Sequence, residues 1–379
     1  MIYFDNAATT GKKPQRVVNA VNNALLHLSA NPGRSGHTLS EMTASRVFSV
    51  REKVAGFFGA SGPENVVFTA NCTASINYVI KGVLKSGDHC IISDLEHNAV
   101  IRPLHKWGIK YDVAEVSLID DEITVNNLKN LITPNTKMII CTGASNVIGR
   151  ILPIEKIGAL CKENGLLFTV DAAQIAGVIP IDMKKMNIDY LCIAAHKGLY
   201  APMGTGILVA EKPINNTIIE GGTGTNSLEI TQPDFLPERL ESGTVNVAGI
   251  MGIGAGIDFV KTLGVHNIHN REMQLLAPLY NRLKSDENII LYTPDFSAEK
   301  YAPVISFDIK GLTSGETGDK LNRSGIAVRA GLHCAPLAHK KIGTQENGTV
   351  RISPGIFNTP REIDYLIAKI RLIYKNYNK

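Results

Sequence analysis

The sequence predicts an α/β protein with a mostly parallel sheet in a large domain and a smaller α/β domain beside it. Three observations carry this. Short apolar runs recur through the middle of the chain, at His89–Ser93, Met138–Thr142, Leu166–Val170 and Tyr190–Ala194. Runs of this length without polar alternation suit strands buried on both faces. Stretches of helical period separate them, and after about Val260 the pattern shifts to a helix, a strand-like run Val304–Ile309, a second helix and a loop.

Taken in order, Ile76, Val79, Ile80 and Val83 recur at helical spacing, which makes Thr73–Lys85 a helix burying one face. The four apolar runs come next, with the amphipathic stretch Ile154–Asn164 between the second and third. Gly165 stands where a C-terminal cap belongs. Strand, helix, strand in sequence implies right-handed crossovers and parallel pairing. The last helix opens at Thr359-Pro360-Arg361-Glu362, a capping box with proline at the first helical position. Its apolar face is Ile363, Leu366, Ile367 and Ile370. The late elements form the smaller domain, completed by the N-terminal segment. The expected division is residues 15–258 against residues 1–14 plus 259–379.

With 379 residues, 44% hydrophobic and 20% charged, the composition is that of an ordinary globular protein. The net charge of +4 is dispersed, without the basic stripe of a nucleic-acid binder. No positive segment followed by an apolar stretch opens the chain, and no apolar run approaches the roughly 20 residues of a membrane helix. A cytoplasmic protein without a membrane partner is expected. Six cysteines, at 72, 90, 141, 161, 192 and 334, show neither a CxxC pair nor a zinc-like spacing. Five read as small buried hydrophobes or helix residues. Cys334 stands instead in an irregular stretch, between Ala330-Gly331 and Ala335-Pro336.

Ligands of open α/β sheets bind beyond the carboxyl ends of the strands. Glu96 and His97 come after the first apolar run, Asn146 after the second, Asp171 and Gln174 after the third, and His196-Lys197 after the fourth. A carboxylate, an amide, two imidazoles and a lysine therefore share one sheet edge. A partly desolvated lysine there suits Schiff-base chemistry. A carboxylate from the neighbouring unit would keep a pyridine nitrogen protonated. His97 would stack on such a ring, and the helix start at Cys72-Thr73 offers N–H groups and a hydroxyl to a phosphate. Each residue also has a structural reading: Asp171 as a turn residue, Thr73 as a helix cap, Lys197 as a surface lysine, His97 and His196 as satisfied core imidazoles. Only their joint placement favours chemistry, and spacing alone does not name the cofactor.

Asp171-x-x-Gln174 followed by Ala195-His196-Lys197-Gly198 resembles the pyridoxal-5′-phosphate (PLP) site of the class V aminotransferase-like superfamily. Within it the chain is similar to the group II cysteine desulfurases and selenocysteine lyases, nearly end to end. The likeness includes Tyr3-Phe4-Asp5-Asn6-Ala7-Ala8-Thr9-Thr10, Glu96-His97-Asn98, Ser145-Asn146, Glu241-Ser242-Gly243-Thr244, Arg329-Ala330-Gly331-Leu332-His333-Cys334 and Val350-Arg351-Ile352.

The resemblance implies a fold type I PLP-dependent transferase with a seven-stranded sheet. It implies that Lys197 carries the cofactor and moves the Cα proton, Asp171 pairs with the pyridine nitrogen, Gln174 with the ring hydroxyl, and His97 stacks on the ring. Thr73 and His196 hold the phosphate, beside the helix start at Cys72, with Thr244 supplied by the other subunit of a homodimer. Arg351, helped by Asn146, takes the substrate carboxylate; a guanidinium fork suits that planar anion. Cys334 as thiolate removes sulfur from L-cysteine, or selenium from L-selenocysteine, leaving alanine and a persulfide for an acceptor protein. Rival readings are another class V aminotransferase or β-lyase, and a sulfur-carrier or scaffold on a retired fold. No metal is implied. Departures from the family pattern are Ala194 in place of a serine before the phosphate histidine, Leu332 in place of a second histidine before Cys334, and the segment Gly221–Ser227.

Overall fold

The computed structural model describes residues 1–33, 35–294 and 296–377. A short β1 (Ile2–Tyr3) opens the chain. The next seven strands are β2 (Val66–Thr69), β3 (His89–Ser93), β4 (Lys110–Ala114), β5 (Thr136–Thr142), β6 (Leu167–Asp171), β7 (Tyr190–Ala194) and β8 (Gly206–Ala210). They form one sheet in the order β2-β8-β7-β6-β5-β3-β4. Strands β3 to β7 pair in parallel, whereas β8 runs antiparallel to both β7 and β2. The sheet is therefore mixed. Residues 195–205 carry no helix, so the chain turns back beside β7 instead of crossing over.

Side chains alternate across this sheet as the period of two requires. Ile91 and Ile139 join the apolar cluster on one face, and Ile92 and Ile140 the cluster on the other. All four are fully buried, and each contributes roughly 1.5–3 kcal/mol by leaving water. The expected strands are present, the third displaced by one residue to end on Asp171.

The helix expected at Thr73–Lys85 spans Cys72–Val83, and Asn71 is its cap, with its side-chain oxygen accepting from Ala74 N–H at 2.9 Å. Thr73 is thus not the cap. The helix Ile154–Glu163 precedes Gly165, whose φ is +63°. The last helix, Pro360–Tyr377, begins with the expected box: Glu362 accepts from Thr359 N–H at 2.7 Å, and Thr359 Oγ1 accepts from Glu362 N–H at 3.4 Å.

Five further strands complete the chain: β9 (Ile289–Leu291), β10 (Ile305–Ile309), β11 (Ile326–Ala327), β12 (Arg329–Gly331) and β13 (Thr349–Ile352). An antiparallel sheet runs β12-β13-β10-β9, while β1 pairs with β11 in parallel. Phe4 from the N-terminal segment shares a buried cluster with Leu276, Phe307, Ile352 and Leu366. The chain's two ends are thereby folded together. Among the described residues no single helix is long and apolar enough to cross a membrane.

The strand order of the main sheet reverses direction at β3. From β3 the chain goes outward to β4, then returns to β5 on the other side of β3. That reversal opens a crevice at the carboxyl ends of β3 and β5.

Candidate active site

The residues after the parallel strands converge at that crevice. Asp171 closes β6 and is buried. Its Oδ1 accepts from Ala173 N–H at 2.9 Å and from the Cys72 thiol at 3.3 Å, so the start of the helix Cys72–Val83 meets the end of β6. Burial, with Asp171 beside it, pushes the Cys72 thiol well up, which keeps it a protonated donor.

Lys197 lies just beyond β7, its N–H donating to Ala194 O at 3.2 Å. Close backbone contact fixes the turn that carries it: a Cβ on Gly198 would stand 2.2 Å from Ala176 O. Burial pushes the Lys197 amine down to about 8, with Arg351 acting in the same direction and Asp171 opposing. A lysine so placed is neutral far more often than one in water, as a nucleophilic amine must be.

Two imidazoles flank it. His97 Nδ1 accepts from Ala99 N–H at 3.0 Å, so the ring caps the helix Asn98–Trp107 while facing the crevice charges. Burial lowers its proton affinity; Asp171 opposes and Lys197 reinforces this. His196 is pushed down to about 4 by burial, Lys197 and Lys13, and its Nδ1 is buried without a partner. His97 thus has both the structural role and the place required for chemistry.

Of the other expected residues, Gln174 lines the same cavity as Lys197, and Arg351 is close enough to act on its charge. Gln174 Nε2 donates to Ala7 O at 3.0 Å. Arg351 is buried; its Nη1 donates to Asn146 O at 2.8 Å and its Nη2 pairs with Asp5 Oδ1 at 2.8 Å, while Nε has no partner. The Asn146 side chain donates in turn to His333 O at 2.7 Å. Thr73 is exposed on the first turn of its helix. Thr244 is exposed too, its hydroxyl accepting from Asn31 at 3.4 Å.

Cys334 is the exposed one of the six cysteines; the other five are buried. It comes after β12, and both His333 and Cys334 hold left-handed backbone, with φ of 46° and 58°. Non-glycine residues adopt that region at a cost when the surroundings fix it. Here Asn98 N–H donates to Cys334 O at 2.8 Å, and His333 Nε2 lies 3.2 Å from Thr349 Oγ1. Burial and Arg351 push His333 down to about 2, so the imidazole beside the thiol is neutral.

Sequence reasoning gives no role to Asp5, Lys13 or Asn98. Asp5 stands in the Tyr3–Thr10 motif, which is its available signal. Asn98 acts through its backbone, and nothing in a side chain announces that.

A family model described as aminotransferase class-V matches residues 2–366. A probable cysteine desulfurase of Pyrococcus abyssi is 32% identical over 99% of this chain and 95% of its own length. A probable cysteine desulfurase of Mycolicibacterium paratuberculosis is 34% identical over 98% of this chain, which spans only 55% of that relative's length. In the solved structures, the apo structure of a cysteine desulfurase from Thermococcus onnurineus NA1 superposes with a TM-score of 0.87 at 31% identity, covering 99% of this chain and 95% of that one.

Proposed function

The chain belongs to the aminotransferase class-V family, and on that premise we propose that it is a PLP-dependent cysteine desulfurase. The observation that carries the reading is the placement of the exposed Cys334, pinned by its own carbonyl to the residue after His97 and by the preceding carbonyl to Asn146. A thiol on a fixed loop over a lysine, carboxylate and imidazole crevice suits transfer of sulfur. L-cysteine and the Cys334 thiol become L-alanine and a Cys334 persulfide: the substrate Cβ–S bond breaks and an S–S bond forms. A thiol of an acceptor protein then takes the outer sulfur.

The residues present fit PLP. The buried His196 Nδ1 has no partner, and the helix start at Cys72-Thr73 offers N–H groups beside it. That donor set suits a phosphate. Asp171 is the buried carboxylate suited to a protonated ring nitrogen, Gln174 the amide for the ring hydroxyl, and His97 the stacking ring. When bound, PLP supplies the electron sink for carbanion chemistry at the substrate Cα.

The chain's own groups do the rest. Lys197 Nζ holds the cofactor, then takes the Cα proton. Arg351 presents a free Nε and a fork now shared with Asp5 and Asn146, to which the substrate carboxylate adds. We infer a homodimer, for which exposed Leu25, Leu26, Phe48, Leu228 and Ile230 supply apolar surface and in which Thr244 reaches the other subunit's phosphate site. We also infer a division at residues 15–258 against 1–14 plus 259–379, favoured by the separate apolar cluster around Phe4 and Leu366. Six free cysteines suit the reducing cytoplasm.

The test is colour and its loss. The native protein incubated with PLP and then freed of the excess by gel filtration stays yellow, and Lys197→Ala does not. Equal absorbance in both would remove Lys197 from its role.

A further inference from the structure

Four donors converge on one backbone oxygen beside the cofactor lysine. The carbonyl of His196 receives Thr10 N–H at 3.2 Å, Thr10 Oγ1 at 3.0 Å, Thr9 Oγ1 at 3.3 Å and Lys13 Nζ at 2.9 Å. Lys13 Nζ also donates to Thr10 Oγ1 at 2.5 Å. A carbonyl oxygen has two lone pairs, so this one is supplied well past its ordinary share. All of these donors come from the N-terminal segment, some 185 residues away in sequence.

Lys13 is half-buried, and among the described residues it makes no ion pair. Taking an ammonium out of water without a carboxylate is costly, and burial pushes Lys13 down to about 8. An exposed lysine at this turn would avoid that cost. The oxygen it serves belongs to the peptide joining His196 to Lys197, whose N–H end is held by Ala194 O at 3.2 Å. Both ends of that peptide plane are therefore fixed, which fixes the direction in which the Lys197 side chain leaves it.

We propose that Lys13 is a positioning residue for Lys197: its ammonium, with the hydroxyls of Thr9 and Thr10, locks the His196–Lys197 peptide and thereby aims the lysine at the crevice. This rests on Lys197 being the reacting lysine. Misplacing a reacting group by about 1 Å costs up to about a hundredfold in rate.

The experiment compares the native full chain with Lys13→Met, Lys13→Arg and Thr10→Val. Hydrogen exchange is read on the peptide spanning residues 194–200, and the visible circular dichroism of bound PLP and the kcat and KM for L-cysteine are read alongside. Lys13→Met is expected to speed exchange there about tenfold, weaken the visible dichroism, and lower kcat about tenfold or more with KM changed less than about twofold. Lys13→Arg, which keeps a charged donor, restores most of this. If Lys13→Met fails to fold, Thr10→Val carries the same expectation at smaller size. Unchanged exchange and dichroism in Lys13→Met and Thr10→Val overturn the proposal, and so does a loss that only tracks a lower melting temperature and that Lys13→Arg does not rescue. A native protein that takes up no PLP counts against the proposed function instead, and the exchange comparison still decides the part played by Lys13.

Discussion

The backbone N–H of Asn98 donates to the carbonyl oxygen of Cys334 at 2.8 Å, so the residue next to His97 holds the exposed thiol's own peptide. A second tether sits one residue earlier, from Asn146 Nδ2 to His333 O at 2.7 Å. The left-handed turn at His333 and Cys334 is thus fixed from β3 and from β5 together. The Asn146 tether is the removable one. Asn146→Ala leaves a buried carbonyl unpaired, a cost of about 1–3 kcal/mol. The expected outcome is faster alkylation of Cys334 and a kcat lowered about tenfold, with the PLP absorbance kept. Alkylation at the native rate would show that the loop does not depend on this bond.

Glu96 ends the turn before His97 and is fully buried; its Oε1 accepts from Thr142 N–H at 2.8 Å and from Ser93 Oγ, while Oε2 has no partner. Burial raises its pKa to about 8, with the Asp171 charge adding to the shift. The folded protein therefore keeps a proton that the unfolded chain releases near 4.5. The stability linked to this proton is fully present below about 4.5 and is lost as pH rises toward 8. The slope is roughly 1.4 kcal/mol per pH unit at most. Glu96→Gln removes the titration. Its unfolding free energy relative to native should climb between pH 5 and 8, then level off; denaturant unfolding at several pH values checks this. A difference constant with pH would contradict it.

Lys197, lowered to about 8 mainly by burial, is mostly neutral above that pH. The rate at which cofactor-free protein takes up PLP should rise with pH and flatten above about 8. Stopped-flow absorbance measures it. A rate still rising steeply near pH 10 would mean that Lys197 behaves as a lysine in water.

Gly256 lies in the helix Val247–Leu263, where an added Cβ would stand 1.8 Å from Leu199 O. The obstacle is backbone in the turn just after Lys197, so relief requires moving that turn. Gly256→Ala should destabilise the fold by about 1–3 kcal/mol and weaken PLP retention with it. Calorimetry and dialysis against buffer check the two effects, and an unchanged melting temperature would show that the helix can shift away freely.

The buried strands are legible in the sequence because a strand covered on both faces must be apolar throughout: His89–Ser93 and Tyr190–Ala194 are present with the expected bounds. The strand Lys110–Ala114 is not, because it is an edge strand with mostly exposed, polar-mixed residues. The antiparallel Gly206–Ala210 lacks a preceding helix to announce it. At the site, Asp171, His97 and Lys197 are legible because each comes just after an apolar run. The partners that hold them are not. Asp5 meets Arg351 across 346 residues, and Asn98 and His196 act through backbone atoms common to every residue. Arg351, expected to await a substrate carboxylate, already has that of Asp5 as a partner; only proximity in the fold makes this visible.

Receipt of the sulfur by Cys334 is the step on which the proposed activity depends. The direct measurement is alanine released from L-cysteine, with a reductant present, by the PLP-loaded native protein and by Cys334→Ala. Turnover in the first and its loss in the second are predicted, with the yellow colour equal in both. Equal alanine release from the two proteins would contradict this and leave Cys334 outside the reaction.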